Sequence, residues 1–318
     1  MAWFVGIDEA GYGPNLGPLV QSAVAVNCDS PPDDLPKRLS QFLRRRGDTE
    51  DGRILIDDSK TVHSGPRGFQ RLESSILGTI PPDLATHPSK WRDWLCHVAA
   101  DSFREVAEEP WFAGGLTLPV ETTDALVAES RQRLQTARRH HGPILLWASS
   151  VVTTAAELNR LLARGLNKSQ VLEEGLRRLF RTCQRHLGDS DEIYFVIDCQ
   201  GGRRYYADFL SDVFPGRWIH ALREDKQGSR YRCLREPMVE WAFQVQAEAS
   251  HWLVAWASML SKYIREVSMR QFNAFWQNRL PHLRSTAGYP VDARRFLKEI
   301  DGLRRQLNIP IESIWRRK

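Results

Sequence analysis

The chain has 318 residues, 42% hydrophobic and 26% charged, with a net charge of +5. These values are ordinary for a globular protein with a substantial core, arranged as one large domain or two smaller ones. No apolar run approaches the roughly 18–20 residues of a membrane span. The opening "MAWFVGIDEA" has no basic start before its apolar residues, so a secretory signal is not expected either.

In chain order, "AWFVGI" reads as a short buried strand and "PLVQSAVAV" as a second one. Between them lies "GIDEAGYGPNLGP", residues 6–18, a loop broken by glycine and proline. Gly11, Gly13 and Gly17 are spaced GxGxxxG. A dinucleotide-binding loop needs GxGxxG and a helix directly after it. Pro14, Pro18 and the valine run argue against that helix. "RILID" (53–57) is a third apolar stretch, ending in "DDSK", and "GFQRLESSIL" has helical spacing.

Residues 80–142 differ in kind. Prolines 81, 82 and 88 open the segment, and Trp91, Trp94, Leu95 and Val98 then share one helical face. "EPWFAGGLTLP" breaks that helix, and a second runs from about Thr122 to "ARRHHG". We read 80–142 as an inserted, mainly helical subdomain within a domain formed by 1–79 and 143–318. Tryptophans at helical spacing are core residues first, although exposed ones stack on bases.

"PILLWASSVV" is strand-like. Asn167 caps a long helix with Leu172, Leu176, Leu179, Phe180, Cys183 and Leu187 on one face and Arg177, Arg178, Arg181 and Arg185 on a solvent face. "EIYFVID" is the clearest strand, and "RWIHAL" is another. "VEWAFQVQAE" alternates, placing Val239, Trp241, Phe243 and Val245 opposite Glu240, Gln244 and Gln246. Helices follow over about 251–278 and 292–306. The whole is an α/β fold with a mixed sheet and helices on both faces.

Cys28, Cys96, Cys183, Cys199 and Cys233 are scattered without a CxxC pair, which suggests neither a disulfide framework nor a structural zinc site. A reducing, cytoplasmic setting is expected. The mild positive charge agrees with a nucleic-acid partner without demanding one. Arginine clusters at 44–46, at 203–204 and in the terminal "RRK" read most simply as solvated faces.

Four acids stand at strand ends: Asp8 and Glu9 after the first strand, Asp198 after "YFVI", and Glu248 where a strand passes into a helix. Strand alternation sends adjacent side chains to opposite faces, so Asp8 and Glu9 converge only if the chain bends there. Carboxylates gathered at neighbouring strand ends repel unless a cation neutralises them. Hard oxygen donors select magnesium or manganese, and a pair of such ions supports phosphodiester hydrolysis. An isolated acid at a strand end is also a common turn former, and spacing alone leaves both readings open.

These residues resemble the type 2 ribonuclease H family, ribonuclease HII. Its G-[IV]-D-E-[AV]-G-R-G-P opening stands here as "GIDEAGYGP", and its D-S-K as Asp58, Ser59 and Lys60. Its strand ending in Asp stands as "YFVID", and its A-S-[IL]-[LIC]-[AS]-K helix as "ASMLSK", with Ser258 and Lys262. The family's fourth acid lies ten residues before that serine, at Glu248 here. Asn167 and Tyr289 match more loosely, and "IESIWRRK" is similar to the family's basic tail. The resemblance covers about 1–75, 145–225 and 245–318.

The resemblance implies a ribonuclease H-like fold and a metal-dependent endoribonuclease, acting as a monomer on RNA–DNA hybrids or on DNA containing ribonucleotides. Asp8, Glu9, Asp198 and Glu248 would be catalytic and would hold Mg2+ or Mn2+. Products would carry 5′-phosphate and 3′-hydroxyl ends. Gly11, Tyr12, Gly13, Ser59, Lys60, Ser258, Lys262 and Tyr289 would meet substrate, with the glycine-loop backbone reading the 2′-hydroxyl. Two positions depart from the pattern: Tyr12 replaces an arginine and Glu248 an aspartate. The competing readings are a ribonuclease H-like nuclease with a different nucleic-acid substrate and a non-catalytic hybrid-binding relative.

Overall fold

In a computed structural model, which describes residues 1–29, 31–81, 87–140, 145–187, 191–199, 203–233 and 237–317, β1 (Ala2–Ala10) runs straight through both opening acids. β2 (Leu19–Cys28), buried along its whole length, pairs antiparallel with β1 from Ala2↔Cys28 to Ala10↔Val20. The glycine loop therefore joins strand to strand. The bend expected at Asp8 and Glu9 comes only after Ala10. What changes at the acids is the other neighbour of β1, because pairing with β6 (Glu192–Asp198) stops at Ile7↔Ile197.

The chain continues through α1 (Leu35–Ser40), a small parallel pair of β3 (Leu43–Arg44) and β4 (Ile54–Leu55), α2 (Ser59–His63) and α3 (Gly68–Thr79). The segment expected to form an insertion contributes α4 (Trp91–Val98), α5 (Phe103–Ala107) and α6 (Asp124–His140); residues 82–86 and 141–142 of it lie outside the described residues. Then come β5 (Leu145–Thr153), α7 (Ala155–Ala163), α8 (Lys168–Leu187), β6, α9 (Ala207–Val213), β7 (His220–Glu224), β8 (Gly228–Cys233) and β9 (Val239–Gln244). The last helices are α10 (Ala247–Ser250), α11 (Trp252–Gln277) and α12 (Pro290–Gln306).

Among the described residues the main sheet has seven strands in the order β5-β2-β1-β6-β9-β8-β7. β2 is antiparallel to both of its neighbours, β1 and β5; β6 and β9 run parallel to β1; β8 is antiparallel to β9, and β7 antiparallel to β8. This is the expected mixed α/β sheet. Alternation along β1 feeds two cores: Phe4 joins the cluster beneath α11, whereas Trp3, Val5 and Ile7 join the one beneath α8 and α9. Gly6 lets α11 approach, since a Cβ there would lie 2.2 Å from the Leu253 carbonyl carbon.

Residues of 91–137 enter the α11-side cluster too, among them Trp91, Trp94, Trp111, Val127 and Leu134. The Trp91 and Trp94 rings stack 5.4 Å apart and meet Tyr263 edge-on. Buried to 2% and 0% exposure, they are core residues and offer no face to a base. Glu73 fastens the segment: its carboxylate accepts the backbone N–H groups of Val120, Glu121 and Thr122 and the Tyr263 hydroxyl.

Asn167 caps α8 as expected, accepting the Gln170 N–H at 3.0 Å while Gln170 Oε1 accepts the Asn167 N–H. Three local expectations fail. Glu240, placed by alternation on the polar side of β9, is only 4% exposed because Arg230 and Arg232 of β8 bind its carboxylate. Val245, placed on the buried side, is 57% exposed because β9 has ended at Gln244. The arginine face of α8 is not simply solvated: Arg178 and Arg185 bind Asp101, and Arg177 binds Asp212.

Candidate active site

One carboxylate oxygen from each of Asp8, Glu9 and Asp198 lies within 4.8 Å of the others. The sheet explains the convergence. β1 and β6 are parallel neighbours, so their C-terminal ends coincide, and both acids of β1 lie where the β6 ladder stops. Glu248 approaches from α10, behind Gln246 in a left-handed conformation at φ 55°. Its carboxyl is hydrogen-bonded to Asp198, and its Oε2 is buried with no hydrogen-bond partner. Glu248 thus adjoins the group through Asp198 and stands outside the tight trio.

Burial and charge crowding favour the protonated forms of the acids. Burial, then the neighbouring Glu9 charge, pushes the Asp8 carboxyl well above its ordinary range; Asp198 adds to the rise. Asp198 is pushed up to about 6, chiefly by burial and then by Glu248, while Lys60 opposes the rise. Asp8 is 6% exposed. A cluster of hard oxygen donors that resists losing its protons, with an unpartnered buried oxygen beside it, suits a divalent cation of the magnesium or manganese kind.

A polar scaffold holds Asp8. Glu9 N–H donates to its Oδ1 at 2.7 Å, and Ser258 hydrogen-bonds its carboxylate. Ser258 Oγ is 3.0 Å from Ser59 Oγ, so the two serines of the matched motifs meet beneath the acid. Ser261 Oγ donates to the Asp8 carbonyl at 3.1 Å and lies 2.8 Å from Ser22 Oγ, itself 2.8 Å from Ser150 Oγ. Sequence reasoning missed Ser22 and Ser261. The available signal was the polar pair Gln21–Ser22 inside a run of valine and alanine.

Lys60 follows Ser59 at the start of α2, which Asp58 caps by accepting the Lys60 and Thr61 N–H groups. This places an exposed cation beside Asp198. Lys262 is drawn elsewhere, donating to Glu266 at 2.6 Å. Tyr289 is 59% exposed, next to the loop position Gly288, whose carbonyl accepts the Asn15 and Leu16 N–H groups.

The three loop glycines separate by surroundings. Gly13 opens onto free space, so its backbone can meet a ligand. Gly11 adopts φ +92°, and a Cβ there would lie 2.6 Å from the Pro18 carbonyl and 3.1 Å from an Arg265 nitrogen. Gly17 likewise makes room for Arg265, 2.9 Å from where its Cβ would be. Arg265, 5% exposed, donates to the carbonyls of Pro18, Leu16 and Ala287. Arg316 is 3% exposed and donates to the Pro14 carbonyl, and burial followed by the Arg265 charge lowers its pKa to about 9. Of the basic tail, read as solvated, Arg316 is thus a buried strut under the glycine loop, whereas Arg317 is exposed and pairs with Glu312. The 44–46 cluster is also committed: Arg44 pairs with Glu50, Arg45 with Asp57 and the Glu248 carbonyl, and Arg46 with Thr61 and Ser64.

No protein-family profile matches the chain, and no curated protein matches it. Solved structures do. A chain of the PCNA:RNase HII complex from Archaeoglobus fulgidus is 14% identical, with a TM-score of 0.45 over 99% of this chain and 94% of that one. Bst-RNase HIII in complex with Mn2+ is 16% identical, with a TM-score of 0.47 over 99% of this chain and 66% of that one. The ribonuclease H2 of Pyrococcus horikoshii OT3 is 12% identical, with a TM-score of 0.43 over 98% and 92%. The chain is similar to type 2 ribonucleases H, the kind of protein its motifs resemble. At these identities the functional reading rests on the site's own geometry. Among the described residues no helix is long and apolar enough to cross a membrane.

Proposed function

We propose that this protein is a metal-dependent endoribonuclease that cuts RNA in RNA–DNA hybrids, and that residues 80–142 form an insertion in its catalytic domain. The observation that carries the catalytic reading is the meeting of Asp8, Glu9 and Asp198 within 4.8 Å, with Glu248 hydrogen-bonded to Asp198. The motif resemblance supports the choice of hybrid substrate.

Asp8, Glu9, Asp198 and Glu248 would hold Mg2+ or Mn2+. Bound there, such ions supply an activated water and neutralise charge on the leaving oxygen. The bond broken joins phosphorus to the 3′ oxygen, leaving a 3′-hydroxyl and a 5′-phosphate. Ser258 orients the Asp8 carboxylate, and the Ala247 N–H, at 2.8 Å, orients that of Asp198. Lys60, on the Asp198 side, offsets phosphate charge. The backbone at Gly13 is open to the ribose, whose 2′-hydroxyl distinguishes RNA from DNA. Tyr12 offers that ribose a ring face rather than a charged fork.

The test is cleavage of three duplexes, an RNA–DNA hybrid, DNA with one ribonucleotide and plain DNA, each with magnesium, manganese or chelator. Hybrid cutting that Asp8→Asn and Asp198→Asn each abolish is the expected result. Equal cutting of plain DNA would overturn the substrate assignment, and tight binding without cutting in either metal would overturn the enzymatic one.

A further inference from the structure

Arg45, the middle residue of the 44–46 cluster, has only 21% of its side chain exposed. Its Nη1 donates to Asp57 Oδ1 at 3.1 Å and to the Glu248 carbonyl at 3.2 Å. Its guanidinium lies 4.2 Å from the centroid of the Trp252 ring. The two bonds end on different walls of the acid site. Asp57 directly precedes Asp58, Ser59 and Lys60, and its carboxylate also accepts the Asp58 and Arg46 N–H groups. Glu248 is bonded to Asp198.

Contacts thus run from Asp8 by way of Ser258 and Ser59 to the Asp57 segment, and from Asp198 to Glu248. Arg45 joins the two ends. The Glu248 end needs such a tie. Its helix, α10, has four residues, follows left-handed Gln246 at φ 55°, and is too short to hold its own position. Arg45 takes the Glu248 carbonyl, so it fixes the backbone and leaves the carboxylate oxygens for a cation; Oε2 is the one buried without a partner. Arginine suits the task, since a planar fork bonds a carboxylate and a carbonyl while its face rests on an indole. A lysine ammonium offers no such plane.

We propose that Arg45 is a positioning residue that sets Glu248 against Asp198, so that the fourth acid joins the other three around a divalent ion; this rests on the metal-dependent reading above. Arg45 touches neither ion nor substrate. It acts through the Glu248 backbone, in the manner of outer partners that orient the ligands of a metal site.

Calorimetric titration of the nucleic-acid-free protein with manganese tests this, beside hybrid cleavage across a manganese series. Arg45→Ala should raise the apparent Kd for Mn2+ about tenfold, as for loss of a partner that orients a ligand. The manganese needed for half-maximal cleavage should rise by the same factor, while kcat at saturating manganese and KM for the hybrid stay near wild type. Arg45→Lys should not restore the affinity, and Asp57→Asn, which keeps an acceptor, should show a smaller loss. The decisive comparison is a double-mutant cycle with Glu248→Gln. In that background Arg45→Ala should weaken manganese binding no further, because it acts through the carboxylate already removed. Should Arg45→Ala fail to fold, Arg45→Lys and Asp57→Asn carry the same cycle. Wild-type affinity in Arg45→Ala or Arg45→Lys, or a loss that adds in full to that of Glu248→Gln, would overturn the proposal. A wild-type protein that binds no manganese would bring down the metal-dependent reading and this inference with it. A wild type that binds manganese, with any of those overturning results, would bring down this inference alone.

Discussion

The Asp198 carboxylate accepts the backbone N–H of Ala247 at 2.8 Å, across 49 residues of chain. That bond ties the end of β6 to the start of α10, and α10 carries Glu248. One acid thereby positions the next. Arg45 holds the same turn from outside, donating to the Glu248 carbonyl at 3.2 Å with its guanidinium 4.2 Å over the Trp252 ring.

Asp198→Asn and Asp198→Ala should therefore differ in stability although both lose activity. Asparagine keeps an oxygen for the Ala247 N–H and adds a donor toward Glu248, so its melting temperature without metal should match or exceed that of the wild type. Alanine strands a backbone donor and frees Glu248, at a cost of about 1–3 kcal/mol. Thermal melts in chelator beside hybrid cleavage check this. Equal melting of the two variants would mean that the Ala247 bond contributes nothing.

The acid cluster should make the metal-free protein less stable as pH rises. A carboxyl whose folded pKa is raised binds more protons folded than unfolded, so its contribution to stability declines between the two values. For Asp198 the window runs from the ordinary carboxylate range near ~4 up through about 6, and Asp8, raised well above its ordinary value, extends it upward. The decline from Asp198 alone is about 1–2 kcal/mol once solvent screening of its partly exposed carboxylate is counted. Melts in chelator from acid to neutral pH should show it as a difference between the wild type and an Asp8→Asn/Asp198→Asn double variant. Manganese should raise the wild-type melting temperature at neutral pH and leave the double variant unmoved. A difference that grows in the opposite direction would contradict the crowding.

Two glycines of one loop should respond in opposite ways to alanine. Gly11→Ala forces a side chain into a left-handed backbone 2.6 Å from the Pro18 carbonyl and against Arg265, so a loss of about 1–3 kcal/mol in stability is expected. Gly13→Ala meets no atom within 4 Å, so its melting temperature should hold while KM for the hybrid rises. Urea unfolding and steady-state kinetics on both variants separate the two. A destabilised Gly13→Ala would place that residue inside the packing, away from the substrate.

Much of the secondary structure was readable because its signals are local. Short apolar runs marked β1, β2 and β6, Asn167 marked the start of α8, and the 251–278 reading bracketed α11 within a residue of either end. Motif order singled out Asp8, Glu9 and Asp198. Signals of that kind weakened where the side chain's fate depended on another strand. Glu240 alternates like a surface residue and is buried because β8 supplies two arginines beside it.

The sequence by itself determined which residues alternate, which cap a helix and where acids close a strand, since each of these is settled by neighbours two to four positions away. Tertiary structure decided that β1 and β6 lie side by side so that their acids meet, and that Arg265 and Arg316 disappear beneath the glycine loop. It also set Lys168 on Tyr12. Those outcomes depend on contacts between segments 22 to 302 residues apart, such as Arg265 with Ala287 and Arg316 with Pro14, and only packing brings such charges to their partners.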